Sequence, residues 1–551
     1  MKAVKRAKVR PKPRTPTKAP LSAPVPRTAP ARTPVYADVS DRQWRMLSAA
    51  IILVAACLRF YHLDLAPLHH DEGVNGLFLT TLFRTGAYHY DPSNYHGPTL
   101  YYLALVVTTA NAFLFGKAGL STVAIRCVPA IFGTATVWLI LKLRLYLGTY
   151  AALGAATLVA LSPGAVYFSR YFIHEVPFVF FTLALAVAAL RYRETSRPAY
   201  LLLASASAAL LFATKETAII SVVVLVLAWL CAVICMAWRK TGDQGLAVSG
   251  RGGQPADESG RAPISQTSRA GIWVAAVALF LSVYILFYAS FGGDYPKGVY
   301  DSLATFRYWS KTGIRVDVHD HFTYLRWLGQ AELPALLLGL LGFSIALVRG
   351  RNRFLLFSGF WTLGMLAAYS LIPYKTPWLA LNISVPLALI AGYGLAEVYS
   401  EVRRVRRQRV RVFLVAMLAL ALVIPAYQAI DISFFRYDDD SVPYVYAHTR
   451  REFLDLVDRL QEIAARNPSG VLTNVTVTAV NYWPLPWYLR DYPHVGYWGR
   501  VVPTQEPVVI AEESQQAELK PILGDHYDRV GTYDLRPGVL LVLFVRRDVA
   551  R

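Results

Sequence analysis

"MLSAAIILVAACLRFYHLDLAPLHHDEGVNGLFLTTLF", residues 46–83, sets one long apolar run directly against a short loop carrying two histidines and two adjacent carboxylates. A helix needs roughly 20 mostly apolar residues to cross hydrocarbon, so Met46–Leu63 reads as a first membrane span. Residues 1–44 carry 11 Lys/Arg against two Asp and are dense in Pro, with no apolar stretch of their own. Such a tail reads as disordered. It is too polar for a signal-peptide core, so the first span is expected to be retained.

Working outward, the whole chain of 551 residues is 55% hydrophobic and 17% charged, with mean hydropathy +0.36. That balance belongs to a polytopic membrane protein rather than a soluble domain. The net charge of +20 does not point to nucleic acid, because the arginines gather in short clusters between apolar runs. These are Lys142 with Arg144, then Arg191, Arg193 and Arg197, then Arg349, Arg351 and Arg353, then six arginines in "VRRVRRQRVR", 402–411. Basic loops favour the cytoplasmic side. Spans near 46–63, 122–141, 149–168, 176–190, 199–214, 217–238, 271–291, 332–348, 354–372, 378–398 and 412–430 put all of them inside, together with the Gly- and Ser-rich loop 239–269. That makes about 11 crossings. It requires "PTLYYLALVVTTANAFLFG", 98–116, to lie along or dip into the outer face. Cys57, Cys127, Cys231 and Cys235 all fall in apolar segments and read as small core residues.

In this threading "HHDEG", "YHGP" (95–98), "SRYFIHE" (169–175), "TKET" (214–217), the loop 293–330 and "YKTPW" (374–378) converge at the outer face of one membrane. Charge beside hydrocarbon is costly unless paired or used. Asp71 either caps the helix announced by Val74, Leu77, Phe78, Thr81 and Leu82, which Gly86 would end, or faces a substrate. Consecutive residues do not share a helix face, so Asp71 and Glu72 are free to take different roles, one toward substrate, one toward a helix end or a basic partner. Glu175 either complements a helix dipole or acts in chemistry. Lys375 either snorkels or binds an anion. Arg126 and Arg170 are anchors or partners of the carboxylates. The histidines, among them His70 and His96, show no zinc spacing such as HExxH. Carboxylates with Lys and Arg suit transfer of a group from a lipid phosphate: a carboxylate takes the proton of an attacking hydroxyl, and cations stabilise the departing phosphate. Nucleotide-binding GxxxxGK[ST] and strand-to-helix GxGxxG signatures do not occur.

At these residues the chain resembles the GT-C class of polytopic glycosyltransferases, in the branch of protein O-mannosyltransferases and lipid A aminoarabinose transferases (glycosyltransferase family 39-like). It is most similar to the flippase-activity-associated membrane protein family of bacteria and archaea. The resemblance rests on Asp71–Glu72 after the first span, "YHGPTLYYL", "AIRCVPAIFGT" with Arg126, "SPGAVYFSRYFIHEVPFVFF" with Glu175, "FATKET", and "YKTPWLALNISVPLALIAG" with Lys375, over roughly residues 45–400. It implies transfer of a sugar from a polyprenyl-phosphate-linked donor to a lipid, glycan or protein acceptor. Carried over by position, Asp71 or Glu72 is the catalytic base and Glu175 a second acidic residue near the acceptor or a metal. Lys375 and Arg126 bind phosphate. Arg170, His70, His96, Tyr95, Lys215 and Trp378 complete the expected substrate site. No cofactor is required by a motif, and a divalent metal ion on the acidic residues stays open. The alternative function is a non-catalytic translocator of the lipid-linked sugar, or its partner, which calls for charge along a path through the bilayer.

The fold expected is therefore an all-α polytopic domain, 45–430, with helices along its outer face and a small extracytoplasmic α/β domain, 431–551. The latter reads as a charged helix at 451–466, a strand in "VLTNVTVTAV" (471–480) and a closing strand "VLLVLFVRR" (539–547). The aromatic run "YWPLPWYLRDYPHVGYWG", 482–499, either fills that domain's core or meets the membrane or a sugar ring. The protein is expected in the plasma membrane with its N-terminus in the cytoplasm.

Overall fold

A computed structural model of the protein describes residues 39–93, 96–244, 266–312 and 319–550. The expected basic tail thus lies almost wholly outside the described residues, as do Tyr95 and most of the Gly- and Ser-rich loop.

Each apolar run expected to span is helical. Among the described residues eight helices are long and apolar enough to cross a membrane: Asp41–Phe60, Thr122–Leu141, Glu175–Thr195, Ala218–Arg239, Ala270–Tyr288, Arg353–Leu371, Pro377–Arg404 and Gln408–Phe434. Leu333–Arg349 adds a ninth if joined to Thr323–Ala331 through a 107° bend, whereas Thr99–Phe115, Thr149–Leu161 and Pro198–Thr214 are apolar but shorter. The run expected to be continuous over 149–168 breaks at Ser162. Its hydroxyl accepts from the Ala165 N–H at 3.1 Å and Pro163 opens a separate short helix, the usual arrangement for a residue that lacks an N–H. Glu332, at the 107° bend, accepts from the Gly164 N–H at 3.3 Å and ties the two interruptions together.

The bundle closes around the Leu381–Arg404 helix, where Ile383, Leu387, Leu389, Ile390 and Ala391 are buried. Small residues let backbones meet there, as is common between membrane helices. A Cβ on Gly392 would stand 2.5 Å from the Ala151 carbonyl oxygen, and one on Gly394 would stand 2.1 Å from that of Leu338.

The last membrane helix continues to Phe434, past the expected boundary at 430. Beyond it lies a five-stranded sheet in the order β2-β1-β3-β5-β4, with β1 Val475–Val477, β2 Val495–Tyr497, β3 Val508–Glu512, β4 Tyr527–Arg536 and β5 Val539–Arg546. Strands β1, β2 and β3 are parallel; β5 is antiparallel to β3 and β4. The strand expected at 471–480 shrinks to three residues, because Gly470–Leu472 forms a helical turn before it. The Phe453–Arg466 helix is amphipathic and buries Phe453, Leu456, Leu460 and Ile463 against Val477, Ile510, Leu541 and Leu543 of the sheet.

This domain is seated on the loop end of the bundle. The Thr449 hydroxyl donates to the Leu68 carbonyl at 2.7 Å, and the Tyr488 hydroxyl accepts from the Leu68 N–H at 2.9 Å. Trp487, 1% exposed, lies against Gly76 of the His70–Thr85 helix, where a Cβ would meet its ring at 2.5 Å; Gly73 meets Pro484 in the same way at 2.6 Å. The aromatic run therefore serves a domain contact as well as a core.

Candidate active site

The His70–Thr85 helix begins with a capping box made by His69 rather than by Asp71. The His69 ring accepts from the Asp71 N–H, and the Glu72 carboxylate accepts from the His69 N–H at 2.9 Å. Gly86, at φ +73°, closes the helix as expected. The two adjacent carboxylates then diverge. Glu72 is fully buried and its oxygens receive Nε and Nη2 of Arg126, each at 2.7 Å, and the Phe172 N–H at 2.8 Å. Arg126 spends its remaining donors on the carbonyls of Leu63, Ala66 and Pro67. This pair staples the loop after the first span to the Thr122–Leu141 helix. Glu72 and Arg126 are thus brought together as an ion pair, with every N–H of the guanidinium engaged, the basic-partner alternative among the expected roles. Asp71 is only partly buried, and its carboxylate accepts no hydrogen bond among the described residues.

Other expected phosphate ligands are likewise engaged. Lys375, buried, points its ammonium at the carbonyls of Tyr369 (3.2 Å), Ser370 (3.0 Å) and Ile372. Those are the last carbonyls of the Arg353–Leu371 helix, which a cation neutralises well. Burial holds its pKa below the ordinary lysine value, opposed by Asp320. Arg170 donates to the carbonyls of Leu58, Tyr61 (2.5 Å) and His62 (2.7 Å) at the end of the first helix and stacks 4.5 Å over Phe434. As they stand, both are helix caps.

A second charged group lies one loop away. Glu175, at the start of its helix, is ion-paired with Lys215 in a buried contact. Beside it, His96 Nδ1 meets Glu216 at 2.9 Å. Burial alone would raise the Glu216 carboxyl, but the His96 ring and Lys215 outweigh it and hold its pKa below the usual value. Gly97 makes this packing feasible, since a Cβ there would stand 2.1 Å from the Ala213 carbonyl oxygen. Asn75 joins the two groups: its amide donates to the Phe172 carbonyl and accepts from the Tyr101 hydroxyl, both at 2.9 Å. Tyr101 in turn lies edge-on to His174 at 5.4 Å.

Trp378 is brought to the first group, its ring 5.7 Å from that of His69. His69 also stacks on His448, 5.9 Å away, and His448 Nδ1 meets the Tyr171 hydroxyl at 2.6 Å. His70 leans on Trp483 at 6.0 Å, with Nδ1 buried and without a hydrogen-bond partner among the described residues. Burial pushes its imidazole down to about 4, against the pull of Asp71. Sequence reasoning missed His448 and Trp483; the latter stood in the quoted aromatic run, but His448 carried no signal. Among the described residues no three His, Cys, Asp or Glu side chains are grouped to hold a metal ion, and Glu175 is ion-paired with Lys215.

Below these loops an apolar groove of about 590 Å³ runs between the Ala218–Gln244 and Arg353–Leu371 helices, lined by Ile219, Val223, Leu227, Cys231, Leu363 and Ala367. Ala368, also on its wall, precedes Tyr369, whose carbonyl receives Lys375.

A polytopic helical domain with short broken spans, acidic loops at one end and an α/β domain seated over them is an architecture shared with solved membrane proteins. The chain is similar in structure to ArnT from Cupriavidus metallidurans in the apo state (TM-score 0.63, 14% identity, 92% of this chain and 98% of that one). It is also similar to ArnT from that organism bound to undecaprenyl phosphate (TM-score 0.60, 15% identity, the same coverage). The archaeal oligosaccharyltransferase AglB from Archaeoglobus fulgidus, in complex with an inhibitory peptide and a dolichol-phosphate, matches at TM-score 0.52 and 14% identity over 86% of this chain and 70% of that one. Residues 96–244 match the family described as dolichyl-phosphate-mannose-protein mannosyltransferase. No curated protein matches the chain in sequence.

Proposed function

We propose that the protein is a membrane glycosyltransferase that moves a sugar from a polyprenyl-phosphate carrier to an acceptor hydroxyl, with Asp71 as the base. The observation that carries this reading is the contrast within one dipeptide: Glu72 is consumed by Arg126, while Asp71 projects a carboxylate that nothing among the described residues occupies. In the step proposed, the acceptor oxygen bonds to the anomeric carbon as the bond from that carbon to the phosphate oxygen breaks. The hydroxyl proton passes to Asp71, and the carrier leaves as the phosphate monoester.

The apolar groove suits an isoprenoid chain, and the ArnT and AglB complexes with undecaprenyl phosphate and dolichol-phosphate support that class of carrier. The basic clusters at the opposite end of the bundle, where Arg349 pairs with Glu397 and Arg191 meets the Lys142 carbonyl, favour placing the acidic loops and the C-terminal domain outside the plasma membrane. The acceptor is a lipid, glycan or protein hydroxyl.

Purified protein in lipid, supplied with radiolabelled polyprenyl-phosphate sugars, tests the reading. Wild type is expected to transfer label and Asp71→Asn to lose roughly 10²–10⁴-fold, the usual contribution of a general base. Full activity in Asp71→Asn would overturn the assignment of the base. Absence of transfer from every donor, with lipid-carrier binding intact, would move the function to translocation.

A further inference from the structure

With Arg126, Arg170, Lys215 and Lys375 engaged inside the protein, the charge that develops on a departing phosphate calls for another cation near Asp71. One comes from the C-terminal domain. Arg536 ends β4 at the tight turn into β5, where Gly538 takes φ +81° and Arg536 pairs in register with Val539. Its Nε is buried without a hydrogen-bond partner, and its guanidinium makes no hydrogen bond among the described residues. Burial lowers the pKa of the guanidinium, opposed by Glu512 and Asp71, and its charge in turn disfavours protonation of His70.

The surroundings form a pocket wall rather than a chance approach. Glu512 is already held by the Asn481 N–H at 2.6 Å and its side-chain amide at 3.1 Å, so it does not claim the guanidinium. The next residues, Trp483 and Pro484, seat against His70 and Gly73 and fix this edge of the sheet over the start of the His70–Thr85 helix. His70 Nδ1 and Arg536 Nε are thus two buried nitrogens on opposite sides of the domain contact with no hydrogen-bond partner among the described residues, near a carboxylate that none of those residues hydrogen-bonds.

We propose that Arg536, brought to the site by the C-terminal domain, binds the phosphate oxyanion of the lipid-linked substrate beside Asp71. This rests on the transferase reading above. As the sugar–phosphate bond breaks, its electron pair stays on the phosphate oxygen and the guanidinium donates to it, while Asp71 receives the acceptor's proton. A guanidinium fork matches phosphate geometry and is poorly replaced by an ammonium.

The test uses full-length protein in lipid nanodiscs with farnesyl phosphate as probe, farnesol and inorganic phosphate as comparisons, and the variants Arg536→Gln and Arg536→Lys. Arg536→Gln is expected to weaken farnesyl phosphate binding roughly tenfold or more, as for loss of a charge-assisted hydrogen bond, with farnesol binding unchanged and Arg536→Lys in between. Its thermal unfolding midpoint should match wild type, because no internal hydrogen bond is lost. Unchanged farnesyl phosphate binding in Arg536→Gln overturns the proposal. So does unchanged binding with a shifted acid limb of the pH–rate profile, which would make Arg536 a partner of Asp71 instead. Inorganic phosphate competing as well as farnesyl phosphate would overturn the lipid source. If Asp71→Asn is inactive while Arg536→Gln binds and turns over normally, this inference fails and the transferase reading stands; if Asp71→Asn is fully active, the base assignment fails whatever Arg536 does.

Discussion

Replacing Glu72 with Gln keeps the side chain's shape and removes its charge, which separates a scaffold from a catalytic base. In the native protein the carboxylate takes two charge-assisted bonds from Arg126 and two backbone N–H bonds, from His69 and Phe172, at zero exposure. The amide of Gln presents one oxygen where two are needed, and its NH₂ faces donors. Arg126 is left as a buried cation with only carbonyl partners. Removing one member of a buried ion pair costs about 3–5 kcal/mol, a large share of the 5–15 kcal/mol that holds a typical domain together. The expected outcome is a thermal unfolding midpoint in detergent, read by size-exclusion fluorescence, far below wild type. Asp71→Asn should unfold with wild type. The reasoning is refuted if Glu72→Gln keeps the wild-type midpoint and loses only turnover, since Glu72 would then be the base.

Gly76→Ala, which drives a Cβ into Trp487, is expected to destabilise the domain contact by about 1–3 kcal/mol, visible as faster hydrogen exchange over 483–490. Glu175→Gln and Lys215→Ala should each be costly and the double substitution less than their sum, so a double-mutant cycle on thermal stability should give a coupling of about 0.5–3 kcal/mol. Ala367→Trp, on the open wall of the groove, should weaken binding of a long polyprenyl phosphate and spare farnesyl phosphate, as measured by competition. His70, whose imidazole is pushed down to about 4 by burial, binds its proton more readily in the unfolded chain. Stability should therefore fall as pH drops from about 6.5 toward 4, and His70→Gln should flatten that slope in unfolding experiments run across the range.

The helical bundle was legible because spans are written as uninterrupted apolar runs, and the basic clusters sorted their ends. The break at Ser162 was also written, in "SPG", but an apolar run on both sides concealed it. The site was legible only as a neighbourhood. That Asp71 and Glu72 could part roles followed from helix geometry; which one faces inward depended on Arg126, 54 positions away, and no local pattern encodes that. Lys375 and Arg170 carried the right charge for phosphate, yet whether a cation caps carbonyls or awaits a ligand is decided by the last turn of another helix. Arg536 was least visible, in an ordinary turn of a domain whose contact with the acidic loop joins residues 420 positions apart.

The glycine face of the His70–Thr85 helix also sets a schedule. Gly73 and Gly76 are shaped for Pro484 and Trp487, which leave the ribosome on the order of tens of seconds after the helix itself at typical elongation rates. Until then the early-made helix has an unfilled notch on one side and only the Arg126 staple on the other. A nascent chain that has not yet reached Pro484 and Trp487 holds its acidic dipeptide without the wall that encloses it, so synthesis of that segment doubles as the licence for the site to form.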